Sequence, residues 1–220
     1  MIKLVAFDLD GTIGDTIPIC IESFWMAVEP YVETFLSEED ILKTFGLNEE
    51  GMIRQIITND NWENALDDFY AIYKKMHVLC PQPFEGITEL IKELKDNSAT
   101  VALITGKGKK SCDITLQQFK IERLFDRIET GSAQRNRKSE AIKNLLNSYN
   151  LHSNEMVYVG DTISDIVECK KAGIKCLSVT WGALPMTIHQ LEQHNQGNIF
   201  YSITSLREFL MKNLFSIQQI

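Results

Sequence analysis

The amino-acid sequence predicts an α/β fold, a parallel sheet wrapped by helices and interrupted by one all-helical insertion. Three observations predict it. Leu4, Val5, Ala6 and Phe7 form an apolar run without alternation, as expected of a strand buried on both faces. From residue 82 onward, short apolar runs alternate with stretches of helical spacing, the pattern of a sheet built from β-α units. Between residues 15 and 81 only helical spacing is found, whereas connections inside α/β units usually run about 2–6 residues. The expected organisation is therefore a core domain of residues 1–14 and 82–220 and a small helical cap domain of residues 15–81.

The first strand delivers Asp8, Asp10, Gly11 and Thr12 to its carboxyl end, the side of an open parallel sheet where ligands bind. In the insertion, Ile17, Ile21, Phe24, Trp25 and Val28 mark one helix face. Ala65, Phe69, Ile72, Tyr73 and Met76 mark another. Ser37-Glu38-Glu39-Asp40 has the form of a capping box ahead of Ile41 and Leu42, and Asn48 can cap the segment holding Met52, Ile53 and Ile56. The aromatic residues Phe24, Trp25, Phe69, Tyr70 and Tyr73 read as packing for the insertion rather than as a ligand box. Gly14 on one side and Pro81 and Pro83 on the other look like the two sides of a hinge. Beyond it, Ile87, Leu90, Ile91 and Leu94 give a helix face and residues 100–105 a buried strand. A helix over Lys109–Phe119 and a short strand near 127–130 follow, then a helix through Ala141, Ile142 and Leu145 and a strand over 156–159. The alternation continues through Ile163–Ala172, 174–179, 188–191, 199–203 and 206–210.

The chain has 220 residues, 44% of them apolar and 24% charged, and a formal net charge of -8. That length can bury an adequate core. The acidic balance argues against a nucleic-acid or anionic-membrane surface and leaves room for a small, locally held anion. Cys20, Cys80, Cys112, Cys169 and Cys176 are odd in number and contain no CxxC pair, as expected of reduced thiols. No stretch approaches the ~18 apolar residues of a membrane span, and Asp8 and Asp10 cut the opening apolar run short of a secretory signal. A soluble, cytoplasmic protein is expected.

Two carboxylates one residue apart stay ionised only if a cation or hydrogen-bond donors compensate them. A hard divalent ion with oxygen ligands, Mg2+ above all, suits Asp8 and Asp10. Asp8 is then a candidate nucleophile and Asp10 a candidate general acid and base. A second buried run, Val157-Tyr158-Val159, also ends in Gly160-Asp161, with Asp165 one helical turn later. Two such ends in one sheet imply a cation between them. Thr105 and Gly106 follow another buried strand and open a helix, which suits a phosphate. The run Gly106-Lys107-Gly108-Lys109-Lys110-Ser111 superficially resembles a nucleotide-binding P-loop, but the spacing fails both GxxxxGK[ST] and GxGxxG. By composition it is equally an ordinary solvated loop. Lys138 stands at a helix start, which the macrodipole disfavours by a few tenths of a kcal/mol, so a nearby negative group would explain it. Arg135 and Arg137 are its rivals for that role. His189 and His194, five apart, share no helix face for a zinc pair.

Asp8-Leu9-Asp10-Gly11-Thr12, Thr105, Lys138 and Gly160-Asp161 with Asp165, in this order, resemble the four motifs of the haloacid dehalogenase-like superfamily. The resemblance spans essentially the whole chain, with a helical cap inserted after the first motif of a Rossmann-like core, and Trp181-Gly182 fits it too. Gly131-Ser132, Arg135 and the lack of a proline after Lys138 bring it closer to the phosphoglycolate phosphatase-like branch. The resemblance implies a Mg2+-dependent phosphatase of a small phosphorylated metabolite. Asp8 would attack phosphorus and become an aspartyl phosphate, and Asp10 would protonate the leaving oxygen and then activate water. Thr105, Gly106 and Lys138 would hold phosphoryl oxygens, although Gly106 stands where asparagine is frequent. Mg2+ would be held by the Asp8 carboxylate, the Asp10 carbonyl and Asp161, with Asp165 as a ligand or a partner of one. In the cap, Lys43, Gly46 and Arg54 are candidates to face the substrate. The dehalogenases lack the acid at position 10, so carbon–halogen cleavage is not implied. A phosphosugar mutase, a pyrophosphatase and a non-catalytic binding protein of the same fold remain as alternatives.

Overall fold

The computed structural model describes residues 1–32, 37, 40–41, 44, 46–183 and 185–214. Six strands form one parallel sheet: β1 Leu4–Phe7, β2 Thr100–Ile104, β3 Arg127–Glu129, β4 Met156–Gly160, β5 Lys175–Val179 and β6 Ile199–Phe200. Their order is β3-β2-β1-β4-β5-β6, which puts β1 at the centre between β2 and β4. Phe7 lies level with Leu103 on one side and Val159 on the other. The residues that follow these three strands therefore leave the sheet together, at its carboxyl edge.

Strand β1 is apolar throughout because successive side chains serve different layers. Val5 and Phe7 join a cluster with Ile87, Leu90 and Leu94 of α4 (Ile87–Asp96), Leu116 of α5 (Lys109–Phe119) and Leu206 of α9 (Ile203–Asn213). Leu4 and Ala6 join a second cluster with Ile142 and Leu145 of α6 (Lys138–Ser148) and Cys169 of α7 (Ile163–Ala172). Helix α8 (Pro185–His194) extends beyond the expected 188–191, and β6 is shorter than the expected 199–203. Apolar spacing marks only the buried positions, whereas backbone hydrogen bonds decide where an element ends.

Between β1 and α4 lie α1 (Ile17–Val28), α2 (Glu49–Ile56) and α3 (Trp62–Met76), and no strand among the described residues. Phe24 meets Phe69 edge-on at 6.4 Å, and Phe69 stacks on Tyr73 at 5.5 Å. Phe24, Ile53, Phe69 and Tyr73 belong to the same apolar cluster as Phe7 and Leu103, so packing runs without a break from the sheet into the insertion. Ser37 and Asp40 cap one another reciprocally, and the Asn48 side chain accepts from the Gly51 amide at 3.0 Å, as the spacing predicts. The two connections to the insertion run side by side, joined by the Phe84 amide donating to the Ile13 carbonyl. No helix among the described residues is long and apolar enough to cross a membrane.

The loops after β2 and β3 come unusually close. The Gly131 amide donates to the Lys107 carbonyl at 2.6 Å, and a Cβ on Gly131 would lie 1.9 Å from the Gly106 carbonyl oxygen. Only a residue without a side chain fits there. Gly131→Ala is expected to lower stability by about 1–3 kcal/mol through the forced shift of these loops, read as a lower denaturant midpoint in urea unfolding.

Candidate active site

Past Phe7 the chain must turn sharply, and Gly11 provides the turn with φ +73°. A Cβ there would meet Asp161 Oδ2 at 2.2 Å, so the glycine also lets the two strand ends approach. Asp8 is buried, with Oδ1 accepting from the Leu9 amide at 2.8 Å and Oδ2 from Lys138 Nζ at 2.6 Å. Asp161 is buried beside it, its Oδ1 accepting from Thr12 Oγ1 at 2.9 Å. Asp165 has no exposed surface; Oδ1 accepts from Lys138 Nζ at 2.7 Å, and Oδ2 from the Thr162 hydroxyl and amide at 2.7 and 3.1 Å. The Thr162–Asp165 exchange is the capping box that starts α7.

One carboxylate oxygen from each of Asp8, Asp161 and Asp165 lies within 4.8 Å of the others. Two of these three acids, Asp8 and Asp165, share one ammonium. Burial pushes Asp8 up to about 7, with Lys138 opposing and the Asp165 charge adding to the rise. Burial raises Asp161 well above the ordinary carboxylate value, and the Asp8 and Asp165 charges add to it. Burial works against the Lys138 ammonium, but Asp165 and Asp8 outweigh it and hold its pKa above the usual lysine value. The negative partners that its position at a helix start called for are therefore these two acids. Arg135 and Arg137 both pair instead with Glu140, near the surface. The excess of buried oxygen charge fits a hard divalent cation.

Asp10 is turned elsewhere. Its Oδ1 accepts from the Thr16 hydroxyl and lies 3.2 Å from Lys107 Nζ. Lys107 is only 6% exposed, donates to Cys20 Sγ at 2.7 Å and lies 4.3 Å over the Tyr73 ring. Reading residues 106–111 as an ordinary solvated loop is thus corrected for Lys107, because Asp10, Cys20 and Tyr73 build a buried receptacle for its ammonium. This is the site residue that sequence reasoning missed. Nothing in the spacing separates it from Lys109 and Lys110, which form exposed pairs with Asp113 and Asp67. Burial pushes the Cys20 thiol up to about 11, with Lys107 opposing. Thr105 is buried and its hydroxyl accepts from the Lys107 amide at 3.2 Å.

A cavity of about 310 Å³ joins these groups; Asp8, Asp10, Gly106, Lys107 and Lys138 line its core side. Phe24, Leu47, Glu49, Met52 and Phe69 line the insertion side. The start of α2 closes onto the core, with the Asn48 amide donating to the Ser132 carbonyl at 3.0 Å and the Gly108 amide to Glu49 Oε2 at 2.8 Å. Of the three insertion residues expected to face a substrate, Gly46 lines the cavity. Arg54 does not, because it pairs with Glu50 at 2.8 Å and lies 3.8 Å over the Trp62 ring. Lys43 lies outside the described residues.

Comparison with known proteins agrees with this arrangement. The model of the haloacid dehalogenase-like hydrolase family matches residues 5–179. A phosphoglycolate phosphatase of Vibrio parahaemolyticus is 30% identical over 196 residues, covering 82% of this chain and 85% of its own. The pyrophosphatase PpaX of Bacillus cereus is 28% identical over 186 residues, covering 82% and 84%. Among solved structures, a haloacid dehalogenase-like family protein of Streptococcus pneumoniae superposes with a TM-score of 0.73 at 23% identity, covering 95% of this chain and 99% of its own. One described as a predicted phosphoglycolate phosphatase of Haemophilus somnus reaches 0.76 at 22%, covering 94% and 97%. With the four motifs gathered at the carboxyl edge of a Rossmann-like sheet, this chain belongs to the haloacid dehalogenase-like hydrolase family.

Proposed function

We propose that the protein is a Mg2+-dependent phosphatase of small phosphate monoesters, working through an aspartyl phosphate, in the phosphoglycolate phosphatase-like branch of its family. The observation that carries this reading is the buried cluster of Asp8, Asp161 and Asp165, with Lys138 bridging Asp8 and Asp165, beside a cavity that Asp8 and Lys138 line. Asp8, Asp161 and the Asp10 carbonyl would hold the ion, with Asp165 as a further ligand or as the group that orients Lys138. When bound, Mg2+ supplies positive charge against the phosphoryl oxygens.

The chain's own residues perform the rest. An oxygen of Asp8 bonds to phosphorus as the ester P–O bond breaks, and Asp10 gives its proton to the departing alcohol oxygen. Water then bonds to phosphorus as the Asp8–phosphorus bond breaks, and Asp10 takes the water's proton, so that phosphate leaves and both acids are restored. The Lys138 ammonium, already on Asp8 Oδ2, neutralises a phosphoryl oxygen, and Thr105 and Gly106 complete the cradle. Thr16 and Lys107 hold Asp10 apart from the acid cluster, which keeps proton transfer and nucleophilic attack on separate carboxylates. Residues 15–81 act as a cap, and Phe24, Met52 and Phe69 exclude water while the ester is cleaved. The partner is a small phosphorylated metabolite in the cytoplasm, and neither nucleic acid nor membrane is involved. A pyrophosphatase is the second reading, favoured by the similarity to the Bacillus cereus PpaX protein.

Turnover of p-nitrophenyl phosphate with Mg2+, and its loss with EDTA, tests the main reading; hydrolysis of pyrophosphate alone would favour the second. Asp8→Asn is expected to abolish turnover while the circular dichroism spectrum is kept. Asp10→Asn should slow turnover by about 10²–10⁴, and a rate within about threefold of the parent would remove its acid–base role. The ion binds the deprotonated Asp8, whose pKa burial raises to about 7. Mg2+ affinity measured by calorimetry should therefore be about tenfold weaker near pH 6 than near pH 8, from this one proton.

A further inference from the structure

We propose that the alcohol this enzyme releases is uncharged and apolar, a small aromatic alcohol of the benzyl type, and that Phe24, Met52 and Phe69 select it. The inference rests on the phosphatase reading and names the substrate class of that same site. The cavity has two unlike walls. Asp8, Asp10, Lys107 and Lys138 put charge on the core side, where the phosphoryl group is held. The insertion faces them with the side chains of Ile17, Phe24, Leu47, Met52 and Phe69, none of which offers a hydrogen-bond donor. Phe24 meets Phe69 edge-on at 6.4 Å, so the wall already holds two rings in the arrangement that a third ring extends. Met52 adds a thioether, which packs well against aromatic edges.

The polar residues around the cavity are bound to the protein itself. Lys138 is engaged by Asp8 and Asp165, and Lys107 by Asp10 and Cys20. Asn136 accepts from the Lys138 amide at 3.0 Å and donates to the Ser164 hydroxyl at 3.2 Å, while Asn48 and Thr162 cap their helices. Glu49 is turned to the Gly108 amide at 2.8 Å, and its charge has the sign of a second anion. Among the described residues, no lining cation is left for a carboxylate or a further phosphate on the ester. Such a group would lose its water against carbon, which costs far more than the wall returns, whereas an apolar group gains with the area it covers. A cavity of about 310 Å³ stands at the small end of ligand sites, which limits that group to about one ring. The phosphoglycolate and pyrophosphate in the names of the relatives would each set an anion on this wall.

The test is kcat/KM with Mg2+ for benzyl phosphate against ethyl phosphate, phosphoglycolate and pyrophosphate. The three monoesters all release a primary alkoxide, so the wall rather than the leaving group sets their order. Benzyl phosphate is expected to exceed ethyl phosphate and phosphoglycolate by about tenfold or more. Benzylphosphonate, which cannot be cleaved, should inhibit p-nitrophenyl phosphate turnover about tenfold more tightly than phosphonoacetate. Met52→Lys puts an ammonium on the wall and should lower the ratio of benzyl phosphate to phosphoglycolate by about tenfold. Phe69→Leu keeps the packing apolar but removes a ring, and should lower the ratio of benzyl to ethyl phosphate by about threefold or more. Equal rates for benzyl and ethyl phosphate, a preference for phosphoglycolate or pyrophosphate, or ratios unmoved by both substitutions would each overturn the inference and leave the phosphatase reading standing. Where a variant does not fold, the rates and inhibition of the parent protein decide. Failure to hydrolyse any monoester would overturn the phosphatase reading itself, and the inference with it.

Discussion

Lys138 holds its ammonium 2.6 Å from Asp8 and 2.7 Å from Asp165, in a place where all three groups are almost shut off from water. Removing such charges from solvent costs several kcal/mol per ion, and mutual attraction repays that only when the geometry is good. Here the geometry is good for two acids and insufficient for three, because Asp161 has a hydroxyl for company and no cation of its own among the described residues. The sheet thus brings together more negative charge than its side chains can balance. Burial, with that imbalance added to it, accounts for the raised pKa values of Asp8 and Asp161. A hard cation would offset that imbalance, which is what the proposed function draws on.

Several local features exist to make that convergence possible. Gly11 turns the chain with a positive φ and leaves room for Asp161. Thr162 and Asp165 cap α7 reciprocally, so the acid that fixes Lys138 is itself fixed by the helix it starts. Lys138 in turn begins α6, which packs on α7 through the cluster containing Ile142, Leu145 and Cys169. A shift of either helix would move a charge out of line. Stability of the sheet's second face and electrostatics of the site are therefore one problem.

The insertion supplies the opposite pole. Its aromatic residues serve as packing and as cavity wall at once, since Phe24 and Phe69 are buried in the common cluster and also line the pocket. Tyr73 extends this inward, bonding Thr115 at 2.8 Å and lying under the Lys107 ammonium. The pair of Lys107 with Asp10 is the second ionic centre, kept apart from the first by Thr16 and by the turn of the chain at Gly11. Two carboxylates of one short motif so acquire different surroundings, which is the usual physical route to different chemical roles.

Much of this was legible in the order of residues. The central strand, the helical insertion and the acids at two strand ends follow from apolar runs and from what closes them, because burial on both faces of a sheet leaves an unbroken run. Even the need for negative partners at Lys138 could be argued from its place at a helix start. What spacing could not say is which lysine of Lys107, Lys109 and Lys110 turns inward. That depends on Asp10, Cys20 and Tyr73, which stand far from the loop in sequence and meet it only when the insertion packs on the sheet. The same holds for Glu49, an acid at a helix start. Tertiary contact with the Gly108 amide carries it into the cavity. Local pattern determines which segments are buried, whereas the environment of a single charge is decided by neighbours that only the folded chain brings to it.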